Sequence, residues 1–280
     1  MSEPDLRVIV GLEMSGVLNT SDEQLIENVK AAIRRQHPQV RQQDPQDDRI
    51  CLVGSGPSLK DTEGELVQLI REGAKLVTVN AAYHWALQKN LKPSAQIVID
   101  ARAENARFLE PDVPGCVYML ASQCHPKLWD AVEGRDNVWI FHTLNHNNTA
   151  KELLDEFYMT NWHGVVGGTT VATRALVVLR MLGYLRFDLF GIDSCVMGDM
   201  DHILPQPENA HDKFYDLKVG PTSHPEIHRT FKVTGWHCKQ FEDVLQFVRI
   251  NGEQILCNVH GDGLIAYALQ CGADLAMDEV

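Results

Sequence analysis

From residue 49 onward the chain repeats one pattern, and that pattern limits its fold more than any other feature. A short apolar run is followed by a break and then by a segment whose apolar residues fall at helical spacing. The runs lie at residues 50–53, 76–79, 96–99, 117–120, 138–141 and 187–190. Helical segments between them span 61–71, with Leu66, Leu69 and Ile70 turned inward, and 81–89. A strongly apolar helix follows at 169–182. A strand that is apolar throughout is buried on both faces, so strand–helix alternation predicts a parallel sheet covered by crossover helices. Right-handed crossovers and short loops narrow this to an α/β, Rossmann-like, doubly wound, mostly parallel sheet. Late in the chain Phe241, Val244, Leu245 and Val248 form a helical stripe, 255–259 a strand and 264–269 a last helix.

Two stretches depart from the pattern. Residues 1–48 read as an N-terminal helical arm and linker. Within them 6–10 has the texture of a short strand, and Ser21-Asp22-Glu23-Gln24 has capping-box spacing. Leu25, Ile26, Val29 and Ile33 then share one helical face, and 36–48 is rich in Gln, Pro and Asp. Residues 49–280 form the Rossmann-like nucleotide-binding domain. Inside it, 194–235 reads as an irregular, lid-like insertion holding Pro205, Pro207, Pro221 and Pro225 with His202, His211, His224 and His228.

Composition excludes some functions. The 280 residues carry 25 Lys+Arg against 38 Asp+Glu, a net charge of -13. A general binder of nucleic-acid backbone needs the opposite sign, so no direct nucleic-acid partner is expected. Seven cysteines, an odd number without a C-x-x-C, sit mostly inside apolar runs and suit a reducing compartment. The acidic start Met1-Ser2-Glu3-Pro4-Asp5 is unlike a signal peptide, and no apolar run approaches the ~20 residues of a membrane span. The expectation is a cytoplasmic protein.

In such a sheet, ligands bind outside the carboxyl ends of the strands. The first feature there is Gly54-Ser55-Gly56-Pro57-Ser58, whose amides and following helix suit an anion; a plain strand–helix turn is the alternative. Asn80 ends the second run, ready either to meet a base or ribose or to cap a helix. Asp100 ends the third, a partner for ribose hydroxyls or a metal, or a cap. Gly167-Gly168-Thr169-Thr170 opens the apolar helix as a second anion-friendly terminus, and Gly191-Ile192-Asp193-Ser194 ends the last buried run. Histidine suits the removal of a proton near neutral pH, and His202 is the best placed, with Asp193 as the second candidate catalytic residue. Asp199 and Asp201 beside His202 are a weak candidate metal pair, against the alternative of a polar loop. His142, His146 and His163 lack metal-ligand spacing.

Taken in order, Gly54-Ser55-Gly56-Pro57-Ser58-Leu59, Asn80, Gly168-Thr169-Thr170, Leu182-Gly183-Tyr184 and Phe190-Gly191-Ile192-Asp193 resemble the motility accessory factor and 6-hydroxymethylpterin diphosphokinase-like domain family, related to bacterial CMP-sialic acid sialyltransferases. The resemblance covers about residues 49–276. It implies that Gly54 to Ser58 and Asn80 hold a nucleotide, with Gly168 and Thr169 beside phosphate or sugar; Asp100 and Gly167 join the candidate nucleotide-binding residues by their places at a strand end and a helix start. It implies a nucleotide-dependent transferase, foremost a glycosyltransferase using a CMP-type nucleotide sugar and an acceptor that the residues do not define. A pyrophosphokinase acting on a pterin-like alcohol with ATP and magnesium is one alternative, and a non-catalytic nucleotide-binding accessory protein another. The chain departs from the family pattern at three places. Ser55 stands for the Asn between the loop glycines, and Ser194 for the tyrosine after Gly-Ile-Asp, with Tyr215 a substitute. Asp100-Ala101-Arg102-Ala103 stands where the diphosphokinase branch carries Asp-x-Asp-Gly, a pattern suited to magnesium.

Overall fold

The computed structural model describes residues 20–144, 148–204, 213–272 and 275–279. Helix α1 (Asp22–Ile33) leads into strand β1 (Gln46–Val53), then α2 (Leu59–Arg71), β2 (Lys75–Val79), α3 (Ala82–Gln88) and β3 (Ala95–Val98). A 3-10 helix, Ala103–Leu109, precedes β4 (Val117–Ala121), α4 (Pro126–Ala131), β5 (Val138–Thr143), α5 (Asn148–Tyr158) and β6 (Gly164–Val165). The chain continues through α6 (Val171–Met181), β7 (Tyr184–Phe190), β8 (Phe214–Pro221), β9 (Arg229–Thr234) and α7 (Gly235–Asn251). It ends with β10 (Leu256–Val259), α8 (Leu264–Cys271) and β11 (Leu275–Glu279).

Among the described residues, eight strands form one parallel sheet in the order β10-β7-β1-β2-β3-β4-β5-β6. This is the α/β, doubly wound architecture that the apolar runs predict. The order reverses between β1 and β7, and there the loops after Val53 and Phe190 lie side by side. That reversal opens a crevice at the carboxyl ends of the strands. Among the described residues no helix is long and apolar enough to cross a membrane. All seven cysteines are free, five of them buried.

The first departure from expectation is α1, which packs onto the body instead of standing away from it. Its stripe buries Val29, Ala32 and Ile33 in the main core. The buried Asn28 amide donates to Gln123 O at 3.0 Å. Beyond the helix, Val40 N donates to Ile140 O at 2.8 Å and Ile140 N to Pro38 O at 2.9 Å, so residues 38–40 run along β5. The reason is the one that makes any amphipathic helix dock: an apolar stripe exposed to water is unfavourable, and an exposed strand edge needs a cover. The expected strand at 6–10 lies outside the described residues.

The second departure is the 194–235 stretch. Strands β8 and β9 pair antiparallel within it, and β11 adds to β8. Leu217 and Val219 on one strand and Phe231 and Val233 on the other are buried, an alternation of period two. Prolines and histidines around these short runs masked that period. Pro205, Pro207 and His211 lie outside the described residues.

Candidate functional site

A cleft of about 1280 Å³ opens at the crevice between β1 and β7, larger than the few hundred Å³ a small ligand needs. Gly54, Ser55, Gly56, Asn80 and Asp100 line one side. Gly167, Gly168 and Thr169 line another, joined by Asp193, Asp201 and His202. The fold therefore gathers most of the residues singled out by position at strand ends. Pro57 and Ser58 are buried at the entry to α2 and do not line the cleft. Asp199 is exposed and also lies outside the lining.

The glycine loop is more self-contained than its sequence suggests. Gly54 N donates to Phe190 O at 2.8 Å and Gly56 N to Gly191 O at 2.7 Å. Ser58 N donates to Asp193 Oδ2 at 3.0 Å, and the Ser58 side chain makes no capping bond. A Cβ added at Gly54 would lie 2.5 Å from Gly191 O, and one at Gly56 would lie 2.3 Å from Asp193 Oδ2. The glycines thus let two loops touch, and three amides expected to face an anion bond within the protein instead. Asp193, a candidate for catalysis, is only 4% exposed. Burial pushes its pKa up, against the hydrogen bond from Ser58 N. Its carboxylate is committed to the start of α2, and its carbonyl accepts Leu264 N at 2.8 Å.

Asn80 keeps a free acceptor. It holds φ +44, a left-handed conformation that asparagine tolerates better than most residues. Ala81 occupies the cap position of α3, so Asn80 is not a side-chain cap. Its Oδ1 is buried without a partner while the residue lines the cleft. Asp100 is different: Arg102 Nε reaches its Oδ1 at 3.0 Å and Arg102 Nη2 its Oδ2 at 2.6 Å. A bidentate guanidinium neutralises this carboxylate.

Three side chains meet on the wall beside α7. Asp201 Oδ2 lies 3.1 Å from His202 Nδ1, and Asp201 Oδ1 lies 2.9 Å from His237 Nε2. Burial raises the Asp201 pKa, but the two histidines outweigh it and hold the carboxyl well below the usual carboxylate range. His237 Nδ1 accepts from Thr234 N at 3.1 Å, as half of the capping box that starts α7. That bond assigns the His237 proton to Nε2, facing Asp201. His202 turns Nδ1 toward Asp201, leaving Nε2 as the nitrogen able to take a proton. This is the arrangement of a carboxylate-oriented base.

The N-terminus of α6 meets a fourth carboxylate. Thr170 and Thr173 form its capping box. Asp243 Oδ2, from α7, accepts from Thr169 N at 2.6 Å, from Thr169 Oγ1 and from Thr173 Oγ1 at 3.1 Å. Arg174 lines the cleft one turn into the helix. His237, Asp243 and Arg174 were not evident from the sequence. A signal for one of them existed: Trp236, Lys239, Gln240 and Asp243 recur at spacings of 3, 4 and 7 on α7, off the Phe241-Val244-Leu245-Val248 stripe, and all four line the cleft.

Among the described residues no group of three His, Cys, Asp or Glu side chains is placed to hold a metal ion. Arg102 fills the space where a second carboxylate would be needed beside Asp100, and Asp201 is engaged by two histidines. These residues do not fit a magnesium site.

Residues 23–199 match the family described as 6-hydroxymethylpterin diphosphokinase MptE-like. No curated protein matches the chain. Among solved structures, a MAf glycosyltransferase from Magnetospirillum magneticum AMB-1 is similar with a TM-score of 0.66 and 16% identity, covering 86% of this chain and 36% of that one. The chain thus spans about a third of that protein's length, and the likeness is one of fold. A mammalian sialyltransferase, described in complex with Gal-beta-1-3GalNAc-ortho-nitrophenol, is similar with a TM-score of 0.44 and 11% identity, covering 85% of this chain and 79% of that one.

Proposed function

The chain belongs to the MptE-like family, and from that premise we propose that it is a nucleotide-dependent transferase that moves a sugar from a CMP-type nucleotide donor to an acceptor hydroxyl. The observation that carries the reading is the Asp201–His202 pair on the wall of the large switch-point cleft, with the unpartnered Asn80 Oδ1 in the same cleft. The acceptor hydroxyl gives its proton to His202 Nε2. Its oxygen attacks the anomeric carbon, and the bond from that carbon to the phosphate oxygen breaks, the electron pair leaving with the nucleotide. Asp201 stabilises the imidazolium that forms. His237 holds Asp201 from behind. Asn80 Oδ1 accepts from an amino group of the base or from a ribose hydroxyl. Asp193 keeps the glycine loop closed against α2. Free cysteines in quantity fit a reducing, cytoplasmic setting.

The family match favours a second reading, pyrophosphoryl transfer from ATP to a pterin-like alcohol. That chemistry uses magnesium, and the Asp100–Arg102 pair speaks against a magnesium site at this position.

Thermal shift with CMP, CDP, UDP, GDP and ATP, each with and without magnesium, tests the choice. A ligand at a hundred times its Kd stabilises by about 2.7 kcal/mol. The proposal expects stabilisation by CMP or CDP without metal, and its loss in Asn80→Ala. Stabilisation only by ATP with magnesium would establish the second reading. No response to any nucleotide would leave neither standing and favour a non-catalytic role.

A further inference from the structure

Arg174 is buried deeper than a charged side chain ordinarily tolerates. It is 6% exposed and lines the cleft beside the first turn of α6. A guanidinium has five N–H donors. Here Nη1 donates to Val165 O at 2.7 Å, while Nε is buried with no partner. Burial pulls the pKa down to about 10, opposed by Asp243, so the group stays charged at neutral pH. A buried donor left without a partner is costly, and such a residue calls for a reason.

The reason lies next to it. Gly168, at φ +77, folds the loop so tightly onto the first turn that a Cβ there would lie 2.6 Å from Arg174 N. The same turn presents Thr169 N, Thr169 Oγ1 and Thr173 Oγ1 to a single oxygen, Asp243 Oδ2. A helix N-terminus with two hydroxyls, and a buried guanidinium near enough for Asp243 to raise its pKa, supply the donors that an oxyanion needs. Asp243 is a visitor from α7, and its neighbour one turn back, Lys239, attracts it electrostatically. One rotation of the Asp243 side chain toward Lys239 would vacate the place.

We infer that Arg174 and the first turn of α6 form an oxyanion subsite of the cleft, and that Asp243 holds this place until a ligand oxyanion displaces it. The inference rests on the reading of the cleft as the ligand site and deepens it. The oxyanion is either a phosphate of the nucleotide donor or a carboxylate on the transferred group. Asp243 then acts as a competitor built into the chain, setting the affinity for that anion.

Calorimetric titration of the full chain with inorganic phosphate, and separately with acetate, tests this. Asp243→Asn keeps an acceptor for the threonines but removes the competing charge. It is expected to bind at least one of the two anions tenfold or more tightly than the unmodified chain. A preference for phosphate assigns the subsite to the donor phosphate, and a preference for acetate to a carboxylate. Adding Arg174→Gln to Asp243→Asn is expected to abolish the gain, and Arg174→Lys to restore part of it. If Asp243→Asn binds neither anion more tightly, the inference is wrong. It is equally wrong if the gain survives Arg174→Gln. Should the Arg174 variants fail to fold, the comparison of Asp243→Asn with the unmodified chain decides alone. A chain that binds CMP but shows no gain in Asp243→Asn loses the subsite and keeps the proposed function. One that shows the gain but binds no nucleotide keeps the subsite and loses the proposed function.

Discussion

Gly56 and Gly64 lie eight residues apart and answer to different physics. A methyl group on Gly56 would meet Asp193 Oδ2 at 2.3 Å and Gly191 O at 2.6 Å, whereas one on Gly64, inside α2, meets nothing within 4 Å. Gly56→Ala should therefore destabilise by about 1–3 kcal/mol through overpacking. Gly64→Ala should stabilise by about 0.5–1 kcal/mol through helix propensity. Urea unfolding of both variants checks the pair, and shifts of the same sign would contradict the contact. On the proposed function, His202→Gln should lower kcat by about 10²–10⁴ with the donor KM unchanged, and Asp201→Asn should cost less. A His202→Gln enzyme near full rate would move the base elsewhere. That His202 and Asn80 reach the cleft was legible in the sequence, because each follows directly from where an apolar run ends or a histidine stands. The partners of Asp201 and of Thr169 were not. His237 is 36 positions from Asp201 in the numbering, and Asp243 is 74 from Thr169. No local spacing rule spans such distances.

At the scale of elements, α1 is a load on the core rather than a tail. Ile33 is 2% exposed and packs in the main cluster, so Ile33→Ala should cost about 2–5 kcal/mol. A change near zero in a denaturant melt would restore the detached arm. The turn after β10 supplies another joint. His260 Nε2 lies 2.8 Å from Asp188 Oδ1 on β7, and Nδ1 lies 2.7 Å from Glu65 Oε2 on α2. Arg49 on β1 and Asn258 on β10 also bond Asp188, and Phe190 stacks on the ring at 4.1 Å. Burial works against protonation of His260, but the two carboxylates outweigh it and raise its pKa. A raised folded-state pKa contributes stability in full below the unfolded value of about 6.5. The contribution fades as pH climbs through the folded value. The stability lost in His260→Gln should thus be larger at pH 5.5 than at pH 9. Equal losses at the two pH values would mean that the ring works only through its stacking on Phe190. These joints were illegible for a simple reason: the sequence shows that a segment is amphipathic, but not which surface receives it.

Across the whole molecule, the switch point between β1 and β7 turns a list of strand ends into one cleft. The net charge of -13 coexists with cations at this cleft, where Arg102, Arg174 and Lys239 all contribute to the lining. Their charges are set against Asp100, Asp243 and Glu242, respectively, so these three cations are paired rather than bare, and on the proposed function an anion would enter by exchange of partners. By itself the sequence determined the strand–helix alternation, hence the parallel sheet, and the carboxyl edge at which most of the candidate residues gather. Those follow from local burial patterns and the handedness of crossovers. Only the tertiary structure decided which polar groups at that edge remain free. Gly54, Gly56 and Ser58 donate their amides within the protein, the last to Asp193 across 135 positions, while Asn80 Oδ1 and Arg174 Nε have no partner. Hydrogen-bond satisfaction is a matter of proximity in space, and a chain does not carry its long-range neighbours in its local order.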